Sequence, residues 1–160
     1  MSANLESNRE LAKAKLWLAE KIEASLADKT AVNRDPQTIQ LIRDRYEMAR
    51  KHTRLNIPPD QEEDFFNCLV DEIVGFGPLE PLLKDETVTE VMVNRADLVY
   101  IERKGKMVET DAFFVNDGHI ERVINKIIKP LGRVANRENP LVDARLPDGS
   151  RVNAVVAPCA

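Results

Sequence analysis

Four arginines, Arg133, Arg137, Arg145 and Arg151, fall in one short stretch near the end of the chain. A guanidinium is planar, keeps its charge at any physiological pH and can meet two phosphate oxygens at once. Four of them beside a rigid hairpin therefore suit phosphate recognition. The same stretch holds Glu138, Asp143 and Asp148, which can equally take the arginines up in salt bridges. Other chemistries find less support. No Gly-x-x-x-x-Gly-Lys-Ser/Thr run is present, so no backbone cradle with an adjacent lysine is available for a triphosphate. His52 and His119 have no metal-ligand spacing to each other or to Cys68 and Cys159. Cys68, inside FFNCLV, reads as a small core residue, and His119 as a solvated residue in the first turn of a helix. Glu62-Glu63-Asp64 and Asp71-Glu72 read as solvated helix charges.

The composition restricts the class. The chain has 160 residues, 43% hydrophobic and 31% charged, with a net charge of −4. That is enough apolar content for a folded core and too much for a disordered tail. Two cysteines exclude a disulfide scaffold. No run approaches the ~18–20 apolar residues of a membrane span, and MSANLESNRE lacks the pattern of a signal peptide, so the expectation is a cytoplasmic chain. Residues 1–54 carry 11 Lys+Arg against 8 Asp+Glu, whereas residues 55–160 carry 12 against 19. The basic group Arg43, Arg45, Arg50, Lys51 and Arg54 is diluted by Asp44 and Glu47, and reads as a solvated or intersubunit helix face rather than a nucleic-acid footprint.

The elements that must position the arginines follow from periodicity. Leu11, Ala14, Leu18, Ile22 and Leu26 mark one helical stripe, with Trp17 off it and placed to reach a neighbouring helix. Asp35-Pro36 reads as an N-cap and first-turn proline, opening a helix with Ile39, Ile42, Tyr46 and Ala49 on its apolar face. Pro58-Pro59-Asp60 opens a third helix, with Glu63 reaching back to its cap, and Gly75-Phe76-Gly77-Pro78 ends it. The period then changes. Val88–Val93, Leu98–Ile101 and Met107–Thr110 read as strands. Asn116 caps a helix with Ile120, Val123, Ile124, Ile127 and Ile128, which Gly132 terminates. Leu141–Leu146 and Ser150–Val156 flank Pro147-Asp148-Gly149, the clearest hairpin turn in the chain. The fold class is α+β: a helical bundle or arm of about three helices over 1–74, then an antiparallel sheet with helices on one face over 75–160.

Three ordered motifs resemble a known family. They are Gly75-Phe-Gly-Pro-Leu-Glu-Pro-Leu-Leu83, Val88-Thr-Glu-Val-Met-Val-Asn94, and Pro140-Leu-Val-Asp-Ala-Arg-Leu-Pro-Asp-Gly-Ser-Arg-Val-Asn-Ala154. Together they resemble the N-terminal region of CpaF/TadA-type secretion ATPases, of the type II/type IV secretion and tight-adherence pilus motor superfamily. The resemblance runs from about Leu69 to Ala160; residues 1–57 match only as a variable helical leader.

That resemblance implies a PAS-like α+β domain followed in the whole protein by a RecA-like domain, which would carry the phosphate loop, the Mg²⁺ ligands and the catalytic glutamate. It also implies a homohexamer binding ATP and Mg²⁺ between the two domains, docked on inner-membrane platform proteins at the cytoplasmic face, with no nucleic-acid partner. Within the matched motif, Arg151 is the first candidate for a contact to nucleotide phosphate and Arg145 the second; Arg133 and Arg137 are weaker. Asp143, Asp148 and Gly149 would set the turn and orient the arginines. No residue here is expected to be catalytic or to bind metal, and the chain is expected to be an excised piece of the longer motor that hydrolyses no ATP alone. The rival expectation is a stand-alone α+β sensory or protein-interaction module.

Overall fold

The computed structural model describes residues 2–26 and 34–159. Helix α1 (Ser2–Ser25) buries Leu18 and Ile22 on the stripe its spacing marks, and Ala19 beside it. Trp17 is 48% exposed, with the ammonium of Lys21, one turn along the same helix, 5.8 Å from its ring. Helix α2 (Pro36–His52) starts where the sequence says it should, because the Asp35 carboxylate accepts from the Thr38 N–H at 2.8 Å and Pro36 needs no donor partner. Helix α3 (Glu62–Val74) follows a 3-10 turn at Pro59–Gln61 and lacks a side-chain cap. Glu63 turns outward to Arg43 at 2.7 Å instead of reaching back. Leu18, Ile22, Ile42, Tyr46, Phe66 and Leu69 fill the space between these three helices.

The Gly75-Phe76-Gly77-Pro78 link has a mixed geometry. Gly75 is extended, not left-handed, and its N–H caps Asp71 O. Gly77 takes the left-handed conformation, at φ +55°. A 3-10 turn at Gly77–Leu79 and a short helix α4 (Glu80–Leu83) follow; apolar periodicity cannot register elements this brief.

Strands β1 (Val88–Arg95), β2 (Leu98–Arg103) and β3 (Lys106–Glu109) form an antiparallel meander in the order β1-β2-β3. Helix α5 (Asp117–Ile128) is capped by the Asn116 side chain, which accepts from the His119 N–H at 2.9 Å. Its last turn tightens into a 3-10 turn, closed by Gly132. Strands β4 (Leu141–Arg145) and β5 (Arg151–Val155) make a separate two-stranded ribbon. The α+β class therefore holds, with the five strands among the described residues divided between two sheets.

Helix α5 serves both sheets. Val123 packs with Leu79, Val99 and Phe114 under the meander, Ile128 packs with Val142, Ala144 and Val156 under the ribbon, and Ile127 touches both groups.

Candidate functional site

The ribbon is built around its turn. Leu146 N–H donates to Ser150 O at 2.8 Å, and Gly149 N–H donates to Leu146 O at 2.9 Å. Gly149 sits at φ +90°, where a Cβ would be strained, and the Asp148 carboxylate accepts from the Ser150 N–H at 2.9 Å. This closure fixes the register, pairing Val142 with Ala154, Asp143 with Asn153, Ala144 with Val152 and Arg145 with Arg151. Strand alternation then sorts the side chains. Val142 and Ala144 go inward, while Leu141, Asp143 and Arg145 go outward opposite Val155, Asn153 and Arg151.

Arg145 and Arg151 thus face solvent side by side next to the turn. Arg151 is held by Asp143, with Nε and Nη2 each donating to a carboxylate oxygen at 3.0 Å. The Arg151 hydrogen bonds hold the Asp143 carboxyl below its ordinary range, and the same bonds push the Arg151 guanidinium further up. The pair is exposed on both sides, so water screens it and the arginine can exchange partners at little cost. Arg133 joins from the loop after α5, its Nη1 donating to Asp143 O at 2.6 Å. No hydrogen bond or ion pair engages the Arg145 guanidinium among the described residues. Arg137 stands apart, lining a shallow depression with Glu121, Asn136, Glu138 and Ala157. The structure therefore sets Arg151 on the Asp143 carboxylate, Arg133 on the Asp143 backbone oxygen and Arg145 opposite Arg151 across the ribbon, and gives Arg137 no contact with them. An outward, net positive surface of this kind can receive phosphate oxygens.

A second cluster went unread in the sequence. Glu72 and His119 are not solvated: they are 1% and 3% exposed. The Val115 N–H donates to His119 Nδ1 at 3.3 Å, which places the ring proton on Nε2, donating to Glu72 Oε2 at 2.9 Å. The Lys15 ammonium lies 3.3 Å from Glu72 Oε1. Burial works to raise the Glu72 carboxyl, but the bond from His119 and the Lys15 charge outweigh it and hold the carboxyl below the ordinary range. Glu72 comes seven residues after Phe65 and three after Leu69, on the edge of the α3 apolar stripe; that position was the available signal. Cys68 lies just beyond the same edge and is exposed rather than in the core.

No group of three or more His, Cys, Asp or Glu side chains among the described residues is arranged to hold a metal ion. None of the described helices is long and apolar enough to cross a membrane.

Comparison with known proteins identifies the family. Residues 72–159 match the family described as Type II/IV secretion system protein. The uncharacterized protein MJ0781 of Methanocaldococcus jannaschii is 35% identical over 100 residues, covering 61% of this chain and 13% of that protein. The putative conjugal transfer protein Rv3659c of Mycobacterium tuberculosis is 28% identical over 98 residues, covering 58% of this chain and 28% of that protein. Among solved structures, the VirB11 ATPase of the Brucella suis type IV secretion system, in complex with sulphate, shares 29% identity, covering 51% of this chain and 25% of that chain at a TM-score of 0.44. The chain spans between about an eighth and a third of the length of the first curated relatives it matches. With more than half its residues inside the family match, and the motifs from Glu72 to the Pro-Asp-Gly ribbon in one continuous run, the chain belongs to the Type II/IV secretion system protein family.

Proposed function

We propose that this chain is the N-terminal, non-catalytic part of a hexameric ATPase that drives tight-adherence (Flp/Tad) pilus assembly or type II/IV secretion. In this reading a RecA-like domain elsewhere in the protein holds ATP and Mg²⁺, and Arg151 and Arg145 reach the phosphates from the ribbon. The observation that carries the reading is the register of the ribbon, which sets Arg145 opposite Arg151 on the outward face with Asp143 holding one of them in place. The residues fit part of such a ligand: guanidiniums suit the phosphates, whereas the metal ligands must come from the other domain. When bound, the nucleotide would supply the energy-yielding phosphoryl transfer. The arginines would neutralise charge on the phosphates, and their release once that charge leaves would let the two domains part.

The carboxylate of Asp143 has a defined part in this scheme. It keeps the Arg151 side chain extended along the strand until phosphate oxygens, with greater charge, displace it. The cytoplasmic face of the inner membrane, the neighbouring subunits and the platform proteins complete the proposed setting.

The test is Arg151→Ala in a protein that carries this chain together with its RecA-like domain. Loss of one charge-assisted contact to the reacting phosphates lowers turnover by on the order of 10²-fold while hexamer assembly and the melting temperature stay unchanged. Unaltered kcat and KM would remove Arg151 from the site. Arg137→Ala, at the arginine that lies apart, serves as the control and leaves turnover unaffected.

A further inference from the structure

The apolar clusters divide at residue 75. One draws its members from Leu11 to Val74, and the other two draw theirs from Phe76 to Val156; no apolar cluster among the described residues contains members from both sides. Hydrogen bonds and ion pairs cross the junction, and the most buried of them come from α5. His119, Arg122 and Lys126 follow one another at i, i+3 and i+7, so they form a single stripe along the helix. The whole stripe meets the C-terminal end of α3. His119 Nε2 donates to the Glu72 carboxylate at 2.9 Å, and Arg122 donates to Glu72 O at 3.3 Å and to Glu23 of α1 at 2.6 Å. Lys126 donates to Glu72 O and, at 2.8 Å, to Ile73 O.

The last carbonyls of a helix lack partners within it and carry the negative end of its dipole. Here a second helix caps two of them, Glu72 O and Ile73 O, through the Arg122 guanidinium and the Lys126 ammonium, while His119 holds the Glu72 side chain beside them. The Glu72 carboxylate is enclosed further by Lys15 of α1 on one side and by Gly77 on the other, where a Cβ would stand 2.7 Å from Oε2. A cleft of about 360 Å³ lies alongside, lined by Lys15, Pro78, Leu82, Phe113 and His119 among others. A more exposed set of charges, Arg34 with Asp71 and Glu80, and Lys84 with Asp71, tethers α3 to α4 nearby.

We propose that the stripe His119, Arg122 and Lys126 on α5, closed on Glu72 at the end of α3, is a conformational latch. Closed, it holds the three-helix layer in one register against the sheets; open, it frees that layer while both sets of apolar cores stay folded. Polar contacts suit this work. They are directional, so they specify one docked geometry, and water can replace them when the layer swings away, as it cannot replace an apolar core. The latch is independent of the proposed role of the arginines on the ribbon, and its test uses the chain alone.

Two variants test it by amide hydrogen exchange. Glu72→Gln keeps the shape and removes the charge; His119→Leu keeps bulk and removes the donor. In each, the amides of Gly75, Phe76, Val115 and His119 should exchange about tenfold faster or more, while those of Leu69, Val70, Val99 and Ile101 keep their protection. Combining the two changes should add little to either alone, as for partners in one interaction. Energy transfer from Trp17 to an acceptor on Cys159, in a Cys68→Ser background, should change in both variants as α1 moves. Unchanged junction exchange in both variants would overturn the latch. So would loss of protection across all the cores, which would mean that Glu72 and His119 maintain the fold as a whole.

Discussion

Lys126 offers the most quantitative test of the polar junction. Its side chain is only 19% exposed, and burial pushes its ammonium down from 10.5 to about 8. Arg122 adds repulsion, and Glu23 and Glu72 resist the shift. At roughly 1.36 kcal/mol per pK unit, that displacement corresponds to about 3 kcal/mol against folding with the charge in place. The sign follows from proton counting. Between about pH 8 and 10.5 the unfolded chain keeps a proton that the folded chain has lost, so stability from this group rises with pH across that window; below it, the penalty is complete. Lys126→Met keeps the length and removes the titration. Urea denaturation of both proteins, followed by far-UV circular dichroism at several pH values from about 7.5 to 10.5, isolates the effect as a difference. The wild type should gain up to about 3 kcal/mol relative to the Met variant over this range. At neutral pH the two should lie close together, because the variant loses a desolvated charge and also the donor to Ile73 O. A stability difference that stays flat with pH, or moves in the opposite direction, would refute the reasoning about the junction.

Other consequences are direct. Gly77→Ala forces a Cβ into left-handed backbone at φ +55° and toward the Glu72 carboxylate, so it should cost at least ~1–2 kcal/mol in chemical denaturation. Leu69→Ala, at a fully buried site between the three helices, should cost about 2–5 kcal/mol by the same measurement. Asp143→Asn should leave thermal melting unchanged, since its ion pair is exposed, while freeing Arg151; in the nucleotide-binding reading, it weakens neither assembly nor folding but alters the KM for ATP.

Much of the architecture was open to inspection in the residues, because it rests on local rules. The Asp35-Pro36 start, the Asn116 cap, the Gly132 stop and the Pro147-Asp148-Gly149 turn depend on neighbours within four positions, and each appears where those rules place it. The ribbon face was legible for the same reason, since alternation along β4 and β5 decides which arginines share a side. What escaped depends on distance. Glu72 and His119 are 47 residues apart, and each alone sits in a polar context: Asp71 beside one, and an N-terminal turn beside the other. Only the approach of α5 to the end of α3 makes them a buried pair. Glu63 likewise prefers Arg43, twenty residues away, to its own backbone. The brief α4 is set by Gly77 and Pro78 rather than by any apolar period.

The seating of the ribbon on α5 has a mechanical consequence. A two-stranded sheet has a single ladder and little stiffness of its own, so its orientation is inherited from the packing of Val142, Ala144, Val152 and Ala154, along the length of its inner face, with Ile128 of α5. Five residues of strand reach about 17 Å at ~3.3 Å each. A rotation of the ribbon together with α5 by about 10° about its far end therefore carries the turn sideways by roughly 3 Å over that reach, the length of one hydrogen bond. Small rotations of α5 would accordingly be magnified into the difference between touching and missing whatever lies opposite the Arg145 and Arg151 fingertips.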